Sequence, residues 1–345
     1  MGGAFMKFTA EKKHSIIMYI LEKIDAGVDR LSAHIASTFD ISPNTAHSYI
    51  NELLELDIIE KTGRGKYHLV TKTFEYTLCR SKGEIADESK TYSALLEPVV
   101  KSLPDNIVRI WDYAFSEMVN NVIDHSEAEH LHIQISQNHL NTTVLIKDDG
   151  IGIFNKIKNH FGLADLDDAI CELFKGKLTT DSQLHSGEGI FFTSKMMDSF
   201  FILSDQKIFT TNKYDMDVSG DLSGMEFQGT LVYLSLSNSS QRTAADVFNQ
   251  YSDNDEGFTK TIIPLKNIFD TAPVSRSQAK RVCNNLDRFK EVVLDFEGLE
   301  WMGQGFAHQV FVVFQASHPH ISLIPRNMCA SIEKMYNHVI ASTNS

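Results

Sequence analysis

Residues 115–125 read Phe115-Ser116-Glu117-Met118-Val119-Asn120-Asn121-Val122-Ile123-Asp124-His125, and their pattern decides how the centre of the chain is read. They end a run from Pro104 in which Trp111, Phe115, Met118 and Val122 recur at helical spacing. Glu117, Asn121 and Asp124, at i, i+4 and i+7, fall on a second face of the same predicted helix. An acid, an amide and an acid so placed could hold a hydrated divalent cation and orient a water. Magnesium takes few protein ligands and keeps waters and phosphate oxygens in its shell. A polar stripe opposite an apolar one is also what any surface helix shows, so the stripe alone decides nothing.

Three later stretches change its weight. The apolar strand Thr143–Lys147 runs into Asp148-Asp149-Gly150-Ile151-Gly152-Ile153. A carboxylate at the end of a buried strand, followed by two glycines, suits recognition of a base amino group with close backbone approach, although it also fits an Asp-Gly turn. Ser186-Gly187-Glu188-Gly189-Ile190 opens a helical run to Met197, and glycines at a helix start leave backbone N–H groups aimed at an anion. Gly229-Thr230 begins the strand Leu231–Leu236.

These four pieces, in this order over residues 104–236, resemble the GHKL superfamily of gyrase, Hsp90-type chaperones, histidine kinases and MutL. The resemblance implies an α/β sandwich of the Bergerat type with a mixed sheet, binding ATP with Mg2+. It implies that Asn121 coordinates the magnesium, that Asp148 binds the adenine amino group and that Thr230 supports this contact. Gly150 and Gly152 would shape the base pocket, Gly187 and Gly189 would cradle phosphates, and Glu117 would activate water. Asp124 matches a less constant family position. In kinases of the superfamily an earlier glycine stands where this chain has His185, a residue that could add a phosphate contact or stiffen a lid. The long insertion 154–186 reads as such a lid, with a helical patch from Asp165 to Phe174 and with Lys175 and Lys177 as candidates to reach phosphate.

Toward the N-terminus, helical periodicity covers Glu11–Ile24 and Leu31–Phe39. Ser42 then caps a helix with Pro43 at its first position, running to about Leu56. Ile58–Lys61, a Thr62–Lys66 turn and Tyr67–Val70 complete a basic hairpin. Residues 8–75 thus resemble a winged helix-turn-helix, in which the third helix enters the major groove. Ser42, Asn44, Thr45, His47 and Ser48 would face bases, and Lys61, Arg64 and Lys66 phosphates. The predicted recognition helix holds no Arg or Lys, so residues 42–66 read either as a DNA contact or as a protein-docking surface. Charge agrees with an N-terminal location for any nucleic-acid contact. The whole chain carries −13, yet residues 1–82 balance eleven basic against ten acidic side chains.

The C-terminal residues 259–345 alternate strand and helix, which indicates a parallel or mixed sheet covered by helices. Ser275 with Gln278 forms a capping box on a helix expected to reach Phe289. Val293–Met302 resembles the STAS-like domains related to anti-sigma-factor antagonists. Those carry an Asp-Ser pair just beyond, where a partner kinase phosphorylates the serine. Gly303 and Gln304 stand here, so that switch does not transfer, and docking of a protein partner or of the chain's own lid is expected instead.

The expected organisation is multidomain α+β: a winged helix-turn-helix (1–82), a linker (83–103), the ATP-binding domain (104–242), a second linker (243–258) and a small α/β STAS-like domain (259–345). No apolar run is long enough to span a bilayer and Met1–Lys7 does not read as a signal peptide. The four scattered cysteines suggest reduced thiols. A cytoplasmic ATP-dependent regulator with slow hydrolysis is the leading expectation, with a homodimer if two DNA half-sites are read. A serine protein kinase of the anti-sigma type and a chaperone- or defence-type clamp ATPase are the alternatives. No phosphoacceptor helix or membrane segment points to a sensor histidine kinase.

Overall fold

Ile16, Ile20, Leu21 and Ile24 lie on one side of a helix, and burying them requires partners from the helices that follow. A computed structural model describes residues 9–178, 187–211, 228–253, 257–269 and 271–342. The chain divides into two compact units. The first holds the residues up to Glu75 together with 134–143 and 237–239, and the second holds the remainder.

In the first unit, α1 (Ala10–Asp25), α2 (Leu31–Phe39) and α3 (Pro43–Glu55) bury Ile16, Ile20, Leu31, Ile35, Ile50 and Leu53 in one core. Thr9 and Ser42 cap the first and third helices through their side-chain oxygens. An antiparallel hairpin follows, β1 (Ile59–Gly63) and β2 (Lys66–Leu69), with Ile59 opposite Leu69. Asn44, His47, Ser48 and Asn51 are exposed on α3, as are Lys61, Arg64 and Lys66 on the hairpin. Glu55 is exposed on that helix as well, and Glu52 is tied to Lys13.

A six-stranded sheet has the order β3-β4-β5-β8-β6-β7, built from β3 (Lys72–Cys79), β4 (His130–Gln137), β5 (Asn141–Asp148), β6 (Ser199–Ser204), β7 (Lys207–Thr210) and β8 (Thr230–Ser237). Its helices include α4 (Glu88–Leu95), α5 (Asp105–Asn121), α6 (Ile153–Phe161), α7 (Leu166–Lys175), α8 (Gly189–Met196) and α9 (Ala244–Tyr251). The apolar stripe of α5, from Ile107 through Trp111 and Phe115 to Met118, is buried as its spacing predicts. Both expected linkers turn out to be packed structure. Tyr92, Leu96 and Val100 are buried within 83–103, and α9 sets Phe248 and Tyr251 against Phe191 and Phe192. Those apolar side chains, spaced at helical intervals among polar ones, need burial that a loose linker would not give.

The C-terminal part is a three-stranded parallel sheet, β9 (Lys260–Pro264), β10 (Glu291–Asp295) and β11 (Ser322–Arg326), in that order, with Ile262, Val293 and Ile324 in register. The helix α10 (Arg276–Cys283) has the expected capping box, but it stops six residues short of Phe289, and Asn285 takes a left-handed backbone at φ 55°. Carbonyls left at this end find another donor. The carbonyls of Arg281 and Asn284 receive the Lys175 ammonium at 2.9 and 2.8 Å, and its third hydrogen bond goes to Glu172 Oε1 at 2.6 Å. All three donors of a lysine only 1% exposed are thereby satisfied. None of the described helices is long and apolar enough to cross a membrane.

Removing one member of this buried ion pair leaves the other uncompensated, so Lys175→Met is expected to lower the unfolding free energy by about 3–5 kcal/mol in urea titration. Replacing Glu172 and Lys175 together by Met should recover most of that loss.

Candidate functional site

Asp148 ends β5 and is 3% exposed, at the floor of a cavity of about 280 Å³. Its carboxylate accepts a hydrogen bond from the Gly150 N–H at 2.8 Å and another from the backbone N–H of Thr230. Burial outweighs these bonds and pushes its pKa up to about 6. Two glycines make the approach to this carboxylate possible. A Cβ at Gly229, whose φ is +96°, would overlap the Asp148 carbonyl, and one at Gly150 would overlap the Ser126 carbonyl oxygen.

The opposite wall comes from α5 and its continuation. The α-helix ends at Asn121 and Val122–Ser126 follow as a π-helical turn. That change of pitch alters the expected face: Glu117, Asn120, Asn121 and His125 line the cavity, whereas Asp124 is exposed and does not line it. The predicted stripe therefore loses its last acid and gains a histidine. Nothing in the apolar pattern announced the wider turn. Arg80 holds two carbonyls of the turn and one just beyond it, through Nη2 to Val122 (3.0 Å), Nη1 to Ile123 (3.2 Å) and Nε to Ala128 (2.7 Å). Lys156 donates to the His125 carbonyl at 2.8 Å and lines the cavity.

Glycines shape the rest. Gly152 (φ +81°) opens α6, where the Thr230 hydroxyl accepts the Ile153 N–H at 3.1 Å. Thr230 thus serves Asp148 through its backbone and α6 through its side chain. Gly187 and Gly189 line the cavity at the start of α8, and a Cβ at Gly189 would overlap the Glu117 carboxylate. Tyr113, one turn before Glu117, has its phenol pKa raised by burial and by the nearby Glu117 and Glu188 carboxylates. His185 and Ser186 lie outside the described residues.

Of the nine residues expected from sequence to form the site, Glu117, Asn121, Asp148, Gly152, Gly187, Gly189 and Thr230 line one cavity. Gly150 does not line it, and its N–H donates to Asp148. Lys177 is elsewhere: its ammonium donates to the Arg288 carbonyl at 3.0 Å and lies over the Phe258 and Phe289 rings at 5.5 and 5.1 Å. Burial in that setting lowers its pKa. Lys156 is the lysine that sequence reasoning missed, and its place four residues after Gly152, in the opening turns of α6, was the available signal. Arg80 was hidden in what read as the end of the N-terminal domain.

The C-terminal part has a counterpart among known families. Residues 278–333 match the family described as STAS-like domain of unknown function (DUF4325). The match takes in most of α10, with β10, β11 and the helical stretch between those strands, so the C-terminal part holds a STAS-like domain. No curated protein matches the chain.

Because the native Asp148 carboxyl holds its proton more tightly than an unfolded one, its charge costs stability above about pH 6 and the cost disappears below about pH 4. Asp148→Asn should therefore stabilise the ligand-free protein near pH 8 by up to ~3 kcal/mol, a gain that fades as the pH is taken from 6 to 4 in parallel denaturation series.

Proposed function

We propose that the chain is an ATP-binding regulator of the GHKL type, in which Mg-ATP in the central pocket switches a winged-helix domain and a STAS-like docking domain. The observation that carries this reading is the buried Asp148 carboxylate, an acceptor at the floor of a pocket whose far end is the glycine-opened start of α8. A purine amino group would donate to that carboxylate. Phosphates would lie toward Gly187 and Gly189, where helix N–H groups favour negative charge. Lys156, rather than Lys177, is the lysine on the pocket wall.

Asn121 and Glu117 supply an amide oxygen and a carboxylate on one wall of the pocket. Among the described residues no group of three or more His, Cys, Asp or Glu side chains gathers to hold a metal ion. This donor set suits magnesium, which would complete its shell with waters and phosphate oxygens. Glu117 would orient the attacking water, giving slow hydrolysis. At residues 42–66, exposed hydrogen-bonding side chains on α3 and the cations of the hairpin fit a DNA contact. The STAS-like domain fits a protein partner, and Gln304 at its switch position leaves phosphorylation there out of its mechanism.

Calorimetry with Mg-ATP tests the central claim. Wild type should bind, Asp148→Asn should bind more weakly by about 1.5–3 kcal/mol for the lost charged hydrogen bond, and wild-type affinity should fall as the pH drops through about 6. No binding by wild type at neutral pH would remove the reading. With labelled ATP, release of free phosphate supports a hydrolytic switch, and label on a second protein would move the assignment to a serine kinase.

A further inference from the structure

Leu173, Gly176 and Leu178 line the pocket, and the stretch they belong to is fastened along its length to the STAS-like domain. Lys175 reaches the Arg281 and Asn284 carbonyls. Glu172, its ion-pair partner, accepts from the side chains of Asn284 at 3.4 Å and Asn285 at 3.0 Å. The Thr261 hydroxyl donates to the Lys175 carbonyl at 2.8 Å. Lys177 and Arg288 each donate to the other's backbone carbonyl. At the far end of α7, Arg281 pairs with Asp165 and Asp168.

The carbonyls that accept Lys175 are those a helix end leaves without partners, and a cation is favoured there. Pulling α7 away from α10 would take from a charge pair at 1% and 3% exposure the Arg281 and Asn284 carbonyls and the Asn284 and Asn285 amides that satisfy it. The pocket wall and the end of α10 therefore move together or not at all.

We infer that the STAS-like domain is a positioning element of the pocket, its segment Arg281–Arg288 holding α7 so that Leu173 and Gly176 close the wall, and that pocket occupancy and the setting of this segment are coupled. The inference rests on the nucleotide reading and deepens it. Glu172, Lys175 and Arg281 are positioning residues and none of them lines the cavity. Coupling between two sites is reciprocal, so a ligand that is bound better when α7 is held must in turn tighten the hold.

The test uses the full chain, Mg-ATP as the probe, and two variants. Arg281→Ala loosens the far end of α7, and the double variant Glu172→Met with Lys175→Met removes the ion pair without leaving a lone buried charge. Calorimetry gives affinity, and amide hydrogen exchange is followed at 281–288 with and without nucleotide. The expected result is that both variants bind at least about fivefold more weakly, and that ATP slows exchange at 281–288 in wild type but not in the double variant. A purely structural role would not produce that ligand-dependent protection. If wild type binds and Arg281→Ala binds equally well, with exchange at 281–288 indifferent to ATP, the coupling is wrong while the nucleotide reading survives. If wild type does not bind, both fall.

Discussion

Backbone carbonyls at the end of α5 must find donors, and much of the pocket follows from how they do so. The π-helical turn after Asn121 offers these groups to side chains and neighbouring loops. Arg80 takes those of Val122 and Ile123 and a further one at Ala128, Lys156 takes the one at His125, and the Ile151 N–H takes that of Ser126. One helix end thereby ties the turn after β3, the loop after β5 and the first turns of α6 to a common frame. A wider turn would be costly in isolation, and here it is over-determined by its surroundings.

Asp148 depends on that frame. A carboxylate so deeply placed needs donors, and the two it has come from the backbone of Gly150 and Thr230. Both positions are reached only because Gly150 and Gly229 lack side chains where the Ser126 and Asp148 carbonyls press in. The placing of this carboxylate and the local packing are the same constraint at this point. The floor is set by backbone donors, and the α7 wall is fastened to the STAS-like domain through Lys175.

Legibility of this arrangement in the sequence varied with the kind of signal. The positions of Gly152 before a helix and of Thr230 at a strand start were readable because their neighbours impose the geometry. The stripe of Glu117, Asn121 and Asp124 was readable only to its second member, since helical spacing assumes a constant pitch and the turn widens after Asn121. Lys177 was misplaced because a lysine's reach says nothing about which partner it meets; two aromatic rings and a carbonyl 111 residues away decided that. The apolar residues of 83–103 and 243–258 looked sparse against polar neighbours, and it took the aromatic cluster around Phe191 and Phe192 to show where the second set is buried.

The thiols differ sharply in exposure as a result of this packing. Burial holds the Cys171 and Cys283 pKa values up at about 11 and 12, which keeps both as unreactive thiols at neutral pH. Cys329 is exposed at the start of the last helix, with its sulfur on the Glu300 carbonyl. An electrophilic dye would therefore discriminate in favour of Cys329 over the two buried thiols. The STAS-like domain thus carries its own attachment point for a fluorophore.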